Sequence, residues 1–352
     1  MSYFNYKRRQ ILRLLGLATG AAVLPSACSL GKSSNSQAPT ASSMQLKGNP
    51  SPDQVSRVAL LKTDNRASAV PKILDLLQPD GFTDKTVFIK PNYNTGDPAP
   101  AATDTDLLDS LITEIEKTQP GQMTIGDRAG MADTREAMQR KGVFELAEKR
   151  GLETIVFDEM SAEQWQYFDQ EGTHWQQGFA IARPILDADA VINTCCLKTH
   201  RFGGHFTLSL KNSIGLVAKY VPGDSFNYMG DLHSSPHQRK MIAEVNAAYD
   251  PSLVLLDGVE AFVNGGPANG KKVPANVMIA GRDRVAVDVV GLAILRSLGT
   301  TEQVSQGSIW DLEQIQRATE LGLGVSNAEQ IEILTADKPS QDVADQIRPL
   351  MS

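Results

Sequence analysis

The stretch "DAVINTCCLKTH", residues 189–200, decides how the fold is read. Ala190, Val191 and Ile192 open an apolar run that continues through Cys195, Cys196 and Leu197 before any charge appears. A short run of that kind between turn residues reads as a strand covered on both faces, as in parallel sheets. Neighbouring side chains on a strand point to opposite faces, so Cys195 and Cys196 diverge. Their Cα atoms lie about 3.8 Å apart, below the usual disulfide range of roughly 4.4–6.8 Å. They read as small core hydrophobes; a redox pair and metal ligation are the other readings open to them.

Working outward, strand-length apolar runs alternate with helical patterns. "VSRVALLK" (55–62) precedes a helix near Val70–Leu77, and "TVFIK" (86–90) follows. Thr103-Asp104-Thr105 caps a helix whose Leu107, Leu108, Leu111, Ile112 and Ile115 share one face. "QMTIGD" (122–127) is the next strand, and Asp133 with Glu136 forms a D-x-x-E helix start. "ETIVFDE" (153–159) and "GFAIAR" (178–183) also read as strands. A helix is expected to open at Ser235-Pro236, with proline in the first turn. "SLVLLDG" (252–258), "NVMIAG" (276–281), a helix over Arg284–Leu298 and "QIEIL" (330–334) complete the alternation. The fold class is α/β, with a mostly parallel sheet and helices on both faces.

Ligands of open α/β sheets sit beyond the carboxyl ends of the strands. Several strands here end in polar groups: Lys90-Pro91-Asn92, Gly126-Asp127-Arg128, Lys198-Thr199-His200 and Asp257-Gly258. Taken singly, such residues are ordinary turn and cap formers. Taken together, they bring lysines, an asparagine, a histidine and aspartates to one rim.

The motifs "VFIKPNYN", "IGDRAG", "ADAVINTCCLKTH", "LSLKNSIGLV", "LLDGVEAFVNGGPANG" and "GRDRVAVDVVG" occur in an order that resembles the family catalogued as domain of unknown function 362. The resemblance covers roughly residues 55–300. Many members carry an iron–sulfur label through an appended segment with C-x-x-C repeats. This chain has three cysteines and no C-x-x-C, so no iron–sulfur cluster is expected. The pattern also resembles, more distantly, the lactate-racemase-like proteins, whose nickel chemistry is not carried over.

The rim residues suggest roles. Lys90 and Lys198 would hold an anion, His200 would transfer a proton, and Asp127 and Asp257 would orient it or hold a cation. Asn92, Thr199, Lys211, Asn212 and Gly266 are further ligand-binding candidates. Gly203-Gly204 allows close backbone approach. A helix starting near Ser209 would offer its free N–H groups to the same anion. Four of the five histidines fall within residues 200–237, which raises a divalent-metal reading with His200, His205, His233 and Asp257 as candidate ligands. No P-loop, dinucleotide fingerprint or G-x-S-x-G elbow is present.

The start of the chain bears on location. "YKRRQILR" (6–13) holds a twin arginine, the apolar run Leu14–Leu24 is too short for the roughly 20 residues of a spanning helix, and "PSAC" ends at Cys28. Residues 1–28 read as an export signal of the twin-arginine type ending in a lipobox-like site, with Cys28 as the lipidated residue. Simple cleavage without lipid is the alternative. Residues 29–54, rich in serine, proline, asparagine and glutamine, read as a flexible tether. Residues 55–340 form the ligand-binding domain, with 200–235 as its active-site loop and helix region. Removing residues 1–27 takes away four bases and no acids, moving the net charge from −7 to −11. That balance argues against nucleic acid as a partner.

The combined expectation is an exported protein, lipid-anchored in the cell envelope, that acts as an enzyme on a small carboxylate or phosphate, with metal assistance as an option. A non-catalytic lipoprotein that captures an anion or metal is the second reading, and a redox protein linked to iron–sulfur chemistry the third.

Overall fold

The computed structural model describes residues 42–43 and 55–352. The expected export signal, the lipidation site Cys28 and all of the expected tether except Ser42 and Ser43 lie outside the described residues. Ser42 forms a parallel bridge with Phe168, its N–H donating to the Tyr167 carbonyl at 2.9 Å, so that residue is docked on the domain.

Eleven strands are described: β1 (Ser56–Lys62), β2 (Thr86–Lys90), β3 (Gln122–Asp127), β4 (Glu153–Val156), β5 (Trp165–Phe168), β6 (Phe179–Ala182), β7 (Ala190–His200), β8 (His205–Thr207), β9 (Leu253–Gly265), β10 (Gly270–Gly281) and β11 (Ile331–Leu334). Nine of them make one sheet in the order β11-β1-β10-β9-β7-β2-β3-β4, with β8 attached to β7. β7 lies between β2 and β9, parallel to both. β2–β3, β3–β4 and β1–β11 are parallel too, while β10 runs against β1 and β9. β2, β3, β4, β7 and β9 therefore present their carboxyl ends at one edge. All eleven residues of β7 are buried, as its uninterrupted apolar run requires.

Helices cover both faces. Arg66–Leu77 and Thr105–Glu116 lay Val70, Ile73, Leu108, Leu111 and Ile112 over Ile89, Ile192 and Leu255. The Asp104 carboxylate caps the second of them by accepting from Asp106 N and Leu107 N. On the other face Arg284–Ser297 packs Val285, Val289 and Leu292 against Leu197, Val254 and Leu256. Beside it an aromatic cluster of Phe88, Phe157, Trp165, Trp175 and Phe179 fills the space under β5 and β6. No helix among the described residues is long and apolar enough to cross a membrane.

One strand is as expected but lies outside the main sheet, and two helix expectations are corrected. "GFAIAR" supplies β6, which pairs with β5 in a separate two-stranded sheet. The helix expected at Ser235-Pro236 starts at Gln238, because the Ser235 hydroxyl accepts the His237 N–H and holds the segment as a turn. The helix expected after Leu208 is a single turn, Ser209–Asn212. Its N–H groups do not face a ligand: the Asp288 carboxylate accepts from Ser209 N at 2.8 Å and Leu210 N at 3.1 Å.

Candidate functional site

At the carboxyl edge of β2, β3 and β7 a cavity of about 80 Å³ opens among Lys90, Asn92, Asn94, Asp127, Arg128, Lys198, His200, Thr207, Lys211, Asn212, Gly215 and His233. At about 10–15 Å³ of such space per water, it holds a handful of waters or one small organic acid. Strand geometry explains the convergence. Lys198 and His200 lie two apart on β7 and share a face, while Lys90 and Asp127 stand at the ends of adjacent strands.

The floor is a buried polar network. Lys90 Nζ meets Asp127 Oδ1 at 2.6 Å and donates to the Pro91 carbonyl at 2.6 Å. Asp127 also accepts from Tyr93 N at 2.6 Å and Arg128 N at 2.7 Å. Burial pulls Lys90 down and pushes Asp127 up, and their mutual attraction opposes both shifts. Lys198 Nζ donates to Asn92 Oδ1 at 2.7 Å and to the Ala101 carbonyl at 2.5 Å. Asn92 Nδ2 donates to Asn212 Oδ1, and Asn212 Nδ2 passes on to Asn193 and the Thr194 carbonyl. Gly215 closes over the ion pair, where a β-carbon would stand 2.6 Å from Asp127 Oδ1 and 2.8 Å from Lys90 Nζ.

Not every polar atom is satisfied. An ammonium has three donors, and Lys198 uses two. Lys211 has no hydrogen-bond or ion-pair partner among the described residues. Burial, with Lys198 and Arg128 adding repulsion, pushes Lys211 down to about 7. His200 Nδ1, Thr207 Oγ1 and Asn94 Nδ2 are buried without a partner. Burial, with Lys211, Lys198 and His233 close by, holds His200 far below its ordinary value. That shift favours the neutral imidazole, which offers one acceptor and one donor nitrogen rather than a stored proton.

Other candidates go elsewhere. Asp257 does not line the cavity. Its side chain lies on the sheet face of Leu253 and Leu255, where it accepts from Arg66 Nε at 2.7 Å and Val259 N at 3.0 Å. The Thr199 hydroxyl points away from Lys198 and donates to the Phe262 carbonyl at 3.1 Å. Gly266, at φ +66°, packs against the Thr199 carbonyl, and it is Pro267 that reaches the cavity. His205 lines an adjoining groove with Thr199 and Asn264. His233 does line the cavity, its Nδ1 held by the Met229 carbonyl at 2.7 Å. His200 shares the cavity with His233 and the adjoining groove with His205 while Asp257 lies elsewhere, and among the described residues no group of three or more His, Cys, Asp or Glu is arranged to hold an ion. Both described cysteines are buried free thiols, Cys196 pushed up to about 11 and Cys195 higher by burial, so neither is a ready thiolate.

Arg128 was not among the sequence candidates. Its guanidinium donates to the carbonyls of Val217 and Ile214 at 2.7 Å each, fixing the segment that roofs the cavity. Asn94, Thr207 and Gly215 were also missed. Asn94 follows Lys90-Pro91-Asn92 closely enough to be inferred, but Thr207 and Gly215 carry no sequence signal of their own.

Lys211 allows a test. Its folded value lies below its unfolded one, so the folded state binds fewer protons between about pH 7 and 10.4 and stability rises with pH across that window. Discounted for partial exposure, the gain is about 1–2 kcal/mol. Lys211→Met is expected to be more stable than the parent at pH 7 and to lose that slope, as read by urea denaturation at pH 7 and 9.5.

The chain is similar to several known proteins. The chain is 24% identical over 253 residues to "Thylakoid-associated protein sll1697" of Synechocystis sp., covering 69% of this chain and 75% of that one. The lactate racemase apoprotein from Thermoanaerobacterium thermosaccharolyticum superposes with a TM-score of 0.40 at 17% identity, over 69% of this chain and 58% of that one. A Thermotoga maritima protein gives 0.39 at 13% identity, over 78% and 60%. The chain thus spans about three-fifths of the length of these two solved structures. The model of the family described as Domain of unknown function (DUF362) matches residues 87–293, from β2 through most of the helix behind β9, and the chain belongs to that family.

Proposed function

We propose that the cavity binds a small organic or inorganic oxyanion, a carboxylate or phosphate, and that the protein is an enzyme acting on it. One observation carries this reading: Lys90, Arg128, Lys198 and Lys211 line the cavity against the single carboxylate Asp127, and Lys211 has no partner. A partly buried cation without a partner is unfavourable, so an anion bound there gains what the fold alone leaves unmet. Lys90 is engaged by Asp127 and Pro91, and its role is to hold the floor. The third proton of Lys198 and the ammonium of Lys211 are the donors that remain for ligand oxygens. Asn94 Nδ2 and the Thr207 hydroxyl add neutral donors, and the unprotonated His200 ring accepts a proton or hydrogen bond from the substrate. The same net charge disfavours a divalent cation bound without an accompanying anion.

In this reading the domain works in the cell envelope, exported by the signal in residues 6–13 and anchored through lipid on Cys28. The support is the twin arginine and the lipobox-like "PSAC". Intact-mass measurement of protein extracted from membranes tests it, since a chain starting at an unmodified residue contradicts the anchor.

Anion binding has a proton signature. A bound anion raises Lys211 toward its ordinary value, so binding near pH 7.5 should take up protons, up to about one per site. Calorimetry with phosphate and acetate in buffers of different ionisation enthalpy reads this uptake. The expected result is uptake in the parent and weaker binding without uptake in Lys211→Met. Absence of binding at millimolar anion, or equal binding by the variant, contradicts the proposal.

A further inference from the structure

Lys211 is placed for more than charge pairing. Its ammonium lines the cavity without an acceptor, while Lys90 and Lys198 are each held by two fixed oxygens or more. Gly204 is what lets it approach His200: a β-carbon there would stand 2.7 Å from Lys211 Cε and 3.1 Å from His200 Nδ1. The same glycine thus lets the stem of the unpartnered lysine and the unpartnered ring nitrogen of a buried imidazole both pack against it. A lysine beside other cations in a closed, poorly hydrated site is the arrangement that turns an ammonium into a nucleophilic amine.

We propose that Lys211 forms an imine with a small 2-oxo acid, whose carboxylate rests on the remaining proton of Lys198 while its carbonyl carbon faces Lys211 Nζ. The proposal rests on the anion-binding reading and adds to it a substrate class and a covalent step. The Nζ lone pair attacks the carbonyl carbon, forming the C–N bond, and the C=O π pair becomes an alkoxide. The nitrogen then loses its two protons in turn and the oxygen gains both, leaving as water and giving the neutral C=N bond. His200, a neutral imidazole beside Lys211, carries each of these protons in turn from nitrogen to oxygen. No oxidant or reductant is required. A fraction of neutral amine suffices, because imine formation draws it off. The cavity, at about 80 Å³, suits an acid of three or four carbons rather than a sugar or nucleotide.

Reductive trapping tests this on the full-length protein. Pyruvate or glyoxylate is added near pH 7.5 with cyanoborohydride, and the modified lysines are mapped by peptide mass spectrometry. Exposed Lys117, Lys149 and Lys338 serve as internal controls. The expected result is a reduced adduct on Lys211, formed about tenfold or more faster than on those three. In Lys211→Met that adduct should vanish while the exposed lysines react as before. Equal modification of all lysines, or none at Lys211, overturns the proposal. Acetate, which has no carbonyl to attack, separates the two claims. Acetate binding without a pyruvate adduct overturns the imine and leaves the anion site standing. A Lys211 adduct without acetate binding supports the imine and overturns the anion reading.

Discussion

The ion pair between Lys90 and Asp127 is the contact on which the site depends. Each charge alone would be strongly unfavourable where it sits, since both side chains are almost fully buried. Together, and with the Pro91 carbonyl and the N–H groups of Tyr93 and Arg128, they form a satisfied unit that fixes the ends of β2 and β3 relative to each other. Asn212 then ties this unit to β7 and, through Asn92, to Lys198. The fold therefore places two buried lysines and the partly buried Lys211 in one small volume yet matches only some of them, and Lys211 is left without a partner among the described residues. A stable floor with an unbalanced wall is what distinguishes a binding site from a structural network.

That arrangement also settles what His200 can do. Its neighbours Lys198 and Lys211 are cations, and burial removes the water that would stabilise another. The lowered value favours the unprotonated ring, so in the proposed reaction it would pass a proton between atoms rather than store one. Arg128 has a different part. Its guanidinium is engaged by the backbone of the 214–217 segment, so its charge contributes to the field while its hydrogen bonds hold the roof.

Much of this was legible in the chain. The alternation of apolar runs gave the α/β class, and the strand endings pointed to Lys90, Asp127, Lys198 and His200, all of which line the cavity. The period of two along β7 separates Lys198 and His200 from Thr199, a distinction available from the sequence alone. Asp257 was misread for a physical reason. β9 does not stop there but runs on to Gly265, so the residue sits mid-strand on the face covered by the helix that carries Arg66. The histidines were grouped by proximity in number, and although His200 and His205 face each other across β7 and β8, only His200 also reaches the cavity. The occupation of the short helix's N-terminus by Asp288 depends on a partner some 80 positions away, which local patterns do not reveal.

The central claim is that one cavity lysine, Lys211, lacks any hydrogen-bond or ion-pair partner among the described residues and is held partly neutral by the fold. Titration of the lysine side chains by carbon-detected magnetic resonance measures this without assuming a substrate. The account expects one resonance with a midpoint near pH 7, absent in Lys211→Met and moved upward by a bound oxyanion. If every lysine outside the Lys90 and Lys198 network titrates near its ordinary value of about 10.4, and added anion shifts none of them, the account is wrong.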